Sequence, residues 1–143
     1  LHGVELEGQW RVLHGAQALD LDGKLDWQHA TNRASGEPLP RIAPLRVTLG
    51  ATLAAGDWKA RAEVVHTARQ SRVPADDTAT GSHTLVHLSA SRGLRLGQSE
   101  ALLFARLTNV GNTLAYNAAT IASVRALSPL PGRALSAGLQ VAF

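Results

Sequence analysis

Apolar and polar side chains alternate along most of this chain. From Val4 to Val12 the even positions are Val, Leu, Gly, Trp and Val, while the odd positions are Glu, Glu, Gln and Arg. A β-strand places successive side chains on opposite faces of a sheet, whereas a helix repeats about every 3.6 residues. The pattern therefore predicts strands with one apolar and one polar face.

The alternation recurs in segments joined by connections of two lengths. Short connections lie near residues 14, 56 and 97, and long ones rich in Pro, Gly or Asn lie at 31–44, 72–82 and about 113–131. This arrangement is typical of an up-and-down membrane barrel, in which short turns and long loops occupy opposite rims. We predict an all-β fold: an antiparallel up-and-down transmembrane β-barrel segment of about seven strands, part of a larger barrel of the 22-stranded type. The predicted strands are 4–12, 19–28, 45–53, 58–64, 83–91, 101–108 and 135–143.

A single register should hold across this sheet, because a slip of one residue would move every apolar side chain to the other face. Charged residues such as Asp22, Arg46 and Arg61 should therefore lie opposite the apolar side chains. The side chains expected on a common outer surface are Leu19, Leu21, Leu25, Leu45, Val47, Leu49, Val86, Leu88, Leu103, Leu139 and Val141.

Composition excludes helical membrane spans. Hydrophobic residues make up 45% of the chain, yet the longest apolar run is Ala101–Ala105, and a transmembrane helix needs about 18 residues or more. The net charge of +3 is spread over the segments, and aromatic residues make up only 4%. Nucleic-acid surfaces concentrate basic charge and interleave aromatic residues with it, so no nucleic-acid partner is expected.

No motif supports an enzyme or a bound cofactor. The sequence contains no Gly-x-Ser-x-Gly elbow, no phosphate-binding loop and no cysteine, so the usual signs of nucleophilic catalysis and nucleotide binding are absent. The acidic residues Asp20, Asp22 and Asp26 alternate along one strand, which a solvated polar face explains. We predict that the protein is not an enzyme.

The three tryptophans lie near the ends of predicted strands, on the apolar face. Trp10 precedes a short turn, Trp58 follows one, and Trp27 precedes a long loop. Aromatic rings at both rims are typical of the girdle of a membrane barrel. The alternative interpretation is that they belong to the core of a sandwich.

The C-terminal strand alternates through Leu139, Val141 and Phe143. It resembles the C-terminal signature of outer-membrane proteins, which implies recognition by the barrel-assembly machinery. The alternative is an amphipathic edge strand that ends in Phe. We expect the Phe143 side chain on the apolar face at the short-turn rim, near Trp10 and Trp58, and the last strand paired with the sixth.

Four segments together resemble the last third of TonB-dependent receptors: Gly3–Gly8, Leu39–Val47, Leu103–Val110 and Pro131–Arg133. The proline-rich stretch is most similar to that of zinc and siderophore receptors. The resemblance implies a receptor in the Gram-negative outer membrane that imports a metal ion, a metal chelate or a siderophore, with outer-membrane lipid as its surroundings. It also implies energy transfer from TonB through a plug domain.

Neither a plug nor a TonB box occurs in this sequence, and seven strands do not close a barrel of this type. We therefore expect residues 1–143 to be the C-terminal strands of a partial receptor barrel. Their partners would be the missing N-terminal barrel strands and the plug.

A divalent metal ion such as zinc, or an iron chelate in transit, is a candidate ligand. His83 and His87 lie on the polar face near a long loop that carries Asp76 and Asp77, and imidazole and carboxylate groups suit such ions. However, residues four apart on a strand are separated by about 13 Å, so the two histidines cannot share an ion without a bend. Ordinary polar side chains of a barrel interior are the alternative interpretation.

Two other classes of protein are also compatible with the alternating sequence. A soluble β-sandwich binding module would bury the apolar faces in a dry core, and a small passive porin would need an even number of strands, about eight.

Overall fold

The computed structural model describes residues 1–97 and 99–142. They form one antiparallel sheet in which seven strands neighbour one another in chain order, and the predicted meander is confirmed. The elements are β1 (His2–Leu13), β2 (Gln17–His29), β3 (Arg46–Ala55), β4 (Trp58–Thr67), β5 (His83–Leu96), β6 (Ser99–Thr108), α1 (Ala122–Arg125) and β7 (Ala134–Ala142).

The register separates the two faces as the alternation predicts. Leu21 pairs with Ala51 and Ala51 with Ala62, while on the other face Asp22 pairs with Gly50 and Gly50 with Glu63. The same parity continues to the last strand, where Leu103 pairs with Leu139 and Ala101 with Val141. One face of the sheet is therefore apolar, the other is polar, and β7 pairs with β6 as expected.

Short and long connections occupy opposite rims. The short-turn rim holds residues 14–16, residues 56–57 and Gly97, and Gly56 and Gly97 have φ values of 56° and 69°. Such angles favour glycine, because it has no Cβ to clash in the left-handed region. The opposite rim carries three long loops, L1 (residues 30–45), L2 (68–82) and L3 (109–133).

The sheet has no second layer within the described residues, and its apolar face is uncovered. The buried apolar residues of the described chain are four alanines, Ala101 in β6 and Ala30, Ala115 and Ala118 in the loops. Large side chains of the apolar face remain exposed, for example Leu49 at 58% and Leu139 at 56%. A sandwich buries such a face against a second sheet. The sandwich interpretation is therefore wrong for this part of the chain, and seven strands rather than eight argue against a small closed porin.

Most strands are longer than the sequence predicts, and one element was not predicted. β5 continues to Leu96 rather than ending at Ser91, and the irregular segment before the last strand contains the short helix α1. In the described part of the chain, no helix is long and apolar enough to cross a membrane.

Candidate functional site

The polar face of β1 and β2 carries complementary charges in neighbouring strands. Arg11 binds Asp20 through two hydrogen bonds, Nε to Oδ1 at 2.7 Å and Nη2 to Oδ2 at 2.9 Å. Lys24 Nζ donates to Glu5 Oε1 at 2.6 Å and lies 3.4 Å from Asp26 Oδ1. Asp20 is thus neutralised by an arginine of β1, whereas Asp26 lies beside a lysine of its own strand.

A second ion pair on the polar face crosses a whole strand. Arg61 of β4 binds Asp22 of β2 over β3, and it also contacts Thr52 Oγ1 at 3.0 Å and Glu63 Oε2 at 2.8 Å. The space between them exists because the intervening residue is Gly50. A Cβ at that position would lie 2.5 and 2.6 Å from the carboxylate oxygens of Asp22.

At the long-loop rim, L2 is tied to L1 through two side chains. Arg72 Nη1 donates to Ala30 O at 3.0 Å, and its Nη2 donates to Thr31 Oγ1 at 2.6 Å. Gln70 Nε2 donates to Ile42 O at 2.8 Å. These bonds join the two loops at both ends of L1.

L3 is tied to L2 by a buried arginine. Arg125 Nη1 donates to Thr78 O at 2.7 Å, and Nη2 lies 2.9 Å from Asp77 Oδ1. The same Nη2 donates to the carbonyls of Ala118 and Thr120 at 3.2 and 2.9 Å. The guanidinium therefore holds two segments of L3 and one of L2 together.

The first turn of L3 is fixed by Asn109, which is 2% exposed and has a φ of 47°. Its Nδ2 donates to Thr113 O and Pro131 O, both at 3.0 Å, and its Oδ1 accepts from Thr113 N at 2.9 Å. Asparagine tolerates this left-handed conformation better than most residues. One side chain thus connects the beginning and the end of L3.

These contacts leave two cavities beside L3. The L2–L3 cavity, of about 350 Å³, lies between residues 78–83 and L3. The sheet–L3 cavity, of about 340 Å³, lies between L3 and the polar face at Asp26, Arg46 and Thr67. His83 and Tyr116 line both cavities. Volumes of this size accommodate small ligands, and the imidazole, phenol, carboxylate and guanidinium groups suit a polar or charged one.

The four proposed metal ligands are not brought into one cluster. His83 lines the cavities, whereas His87 lies four residues further along β5 and accepts a hydrogen bond from Asn109 N at its Nδ1. The carboxylate of Asp77 is engaged by Arg125, and Asp76 is exposed. Among the described residues no group of three or more His, Cys, Asp or Glu side chains is placed to hold a metal ion. Metal binding by these residues stays a prediction without a shared site.

The tryptophans lie where the sequence analysis places them. Trp10 and Trp58 are at the short-turn rim and Trp27 is at the long-loop rim, all on the apolar face and exposed at 68%, 52% and 37%. The ring of Trp58 is covered by the guanidinium of Arg92, 5.1 Å from its centroid. Leu139 and Val141 lie in β7 on the apolar face, and the predicted position of Phe143 falls outside the described residues.

Sequence reasoning missed the residues that shape the loop rim, namely Arg72, Asn109, Tyr116 and Arg125. A single arginine or asparagine in an irregular segment carries no periodic signal. Tyr116 is the one tyrosine of the chain, which could have drawn attention to L3, but its neighbours come from distant segments.

Comparison with known proteins agrees with this architecture. The family described as TonB dependent receptor-like, beta-barrel, matches residues 1–114. The solved structure of the copper transporter OprC is similar, with a TM-score of 0.75 and 22% sequence identity over 97% of this chain. This chain spans only 22% of the length of that structure, and the similarity shows a shared fold. A search of curated proteins found no match. The family match covers β1 to β6, and the chain therefore belongs to the TonB-dependent receptor β-barrel family.

Proposed function

We propose that these strands form part of the wall of a Gram-negative outer-membrane receptor that imports a scarce nutrient. The cargo class that we infer is a metal ion, a metal chelate or a siderophore. The energy for import would come from TonB acting through a plug domain in the complete receptor. In this proposal the protein catalyses no covalent reaction.

The observation that carries the proposal is the contrast between the two faces of a single sheet. The apolar face exposes leucine and valine side chains, which lipid would cover, while the charged face pairs Asp22 with Arg61 and Arg11 with Asp20. Barrels in the outer membrane have an apolar outer band and a polar interior. Strands of nine to fourteen residues suit the bilayer, which a tilted strand spans with about 9–11 residues.

The family match supports the receptor class, and the loop rim supports a role in ligand capture. L1, L2 and L3 all lie on one rim, which would be the extracellular one because outer-membrane barrels have short periplasmic turns. The polar groups of the sheet–L3 cavity would then face incoming ligand. Trp10, Trp27 and Trp58 would contact the lipid headgroup regions, and Leu139, Val141 and Phe143 would be recognised by the barrel-assembly machinery.

Uptake measurements on the complete receptor test this function. Cells that lack the gene should lose accumulation of one radiolabelled cargo from a panel of zinc, copper and ferric siderophores. Deletion of TonB should cause the same loss, and a receptor that lacks residues 113–130 should reach the outer membrane but take up less. Recovery of the receptor in the soluble fraction, or unchanged uptake of the whole panel, would contradict the proposal.

A further inference from the structure

Arg125 is the most deeply buried charged side chain in the described part of the chain, with 5% exposure. Its salt bridge to Asp77 is also buried, since the two side chains are 6% and 9% exposed. The other salt bridges between described residues lie on the polar face of the sheet, and their side chains are 19% to 66% exposed. The loop rim thus contains an ion pair that water hardly reaches.

The contacts of Arg125 are divided between two loops. In L2 it binds the carboxylate of Asp77 and both the carbonyl and the hydroxyl of Thr78. In L3 it binds the carbonyls of Ala118 and Thr120. Removing one partner from a buried charge pair is strongly destabilising, because the other charge remains desolvated. Separation of the loops therefore requires that Arg125 leave Asp77 and Thr78 together, whereas its bonds to Ala118 and Thr120 lie within L3 and can remain.

The hydrogen bonding of the Arg125 guanidinium is incomplete in one respect. Its Nε is buried and has no hydrogen-bond partner among the described residues, and an unsatisfied buried donor costs free energy. The contact between L2 and L3 is thus stabilised by several hydrogen bonds and a salt bridge, and it is weakened by one unsatisfied donor. Water would satisfy that donor if the loops parted, which would lower the free-energy cost of separating them.

We infer that Arg125 is a latch between L2 and L3 that positions L3 across the polar face. Both cavities beside L3 depend on this position, because Tyr116 lines each of them and Arg125 itself lines the L2–L3 cavity. If the proposed function holds, the latch regulates access of ligand to the sheet–L3 cavity. Asp77, which the sequence analysis offered as a metal ligand, acts here as the counterion of Arg125.

Distance measurements on the complete receptor, purified without ligand, test the latch. One spin label is placed in L3 at Leu127→Cys, where the side chain is 84% exposed, and the other in the short turn at Asp57→Cys. The latch variants are Arg125→Gln and Asp77→Asn. Arg133→Gln is the matched control, because it removes an exposed arginine of L3 whose side chain forms no salt bridge with a described residue.

We expect one narrow distance distribution for the parent and for Arg133→Gln. Arg125→Gln should broaden the distribution, Asp77→Asn should broaden it less, and hydrogen exchange at Thr120 and Leu130 should accelerate at least about tenfold in Arg125→Gln. Narrow distributions in both latch variants would overturn the inference. If Arg125→Gln does not assemble, Asp77→Asn decides alone, because it keeps the side-chain shape and removes only the charge. None of these readouts requires transport, so failure of the proposed function would be seen separately.

Discussion

At the scale of single residues, Gly50 illustrates how a missing side chain determines the polar face. It lies in the middle strand of three, between Asp22 and Glu63 in the register, and the guanidinium of Arg61 passes over it to reach Asp22. Any larger residue would occupy the space of this ion pair. The glycine is needed here for close approach and not for an unusual backbone angle, since its φ is not positive.

Substitution of Gly50 should therefore act through the ion pair. Gly50→Ala places a methyl group against both Asp22 and Arg61, and we expect a loss of stability of about 1–3 kcal/mol. Gly8→Ala in β1 is the control, because no atom lies within 4 Å of the added Cβ and alanine is intrinsically better than glycine in a strand by about 0.5–1 kcal/mol. Denaturant unfolding of the receptor in lipid should show opposite signs for the two. Equal effects would contradict the role of the ion pair.

At the scale of elements, alternation predicts strands well because each strand meets two environments that the sequence itself records. The strand prediction is weaker where the two faces differ less. In β6, Leu102 and Phe104 lie on the polar face. In β5, Arg92 lies on the apolar face, over Trp58. The cavities and the latch could not be predicted, because L3 has no periodicity and its position depends on contacts between residues more than forty apart.

The apolar side chain of Phe104 on the polar face packs against Gly138 of β7. Its ring lies over Gly138, where an added Cβ would be 2.6 Å from Cζ and 3.0 Å from Cε1. We expect Gly138→Ala to destabilise the parent receptor by about 1–2 kcal/mol, because β6 and β7 must separate or the ring must turn away. In a Phe104→Ala background the same change should stabilise, since the clash is gone and the strand propensity of alanine remains. A double-mutant cycle of unfolding free energies measures this coupling, and additive effects would contradict the packing.

At the scale of the whole molecule, the sheet is incomplete without what surrounds it. β1 and β7 each have one neighbouring strand within the described residues, and a membrane tolerates no unpaired strand edge. The apolar face is likewise uncovered. Both features fit a segment of a larger barrel, which agrees with the family match and with the small share of the copper transporter structure that this chain spans.

Two consecutive valines of β4 allow a matched test of which face meets lipid. Val64 lies on the apolar face beside Leu49 and Val86, and Val65 lies on the polar face beside Thr48 and Leu85. The change to arginine adds the same charge and volume at either site. If lipid covers the apolar face, Val64→Arg should cost about 2–4 kcal/mol, as expected for a cation near the bilayer midplane. Val65→Arg should cost much less, because a barrel interior solvates the guanidinium.

Unfolding titrations of the complete receptor in lipid vesicles, together with its level in the outer membrane, measure the difference. A larger cost for Val65→Arg would show that the polar face is the covered one, and both the orientation of the sheet and the proposed function would then be wrong.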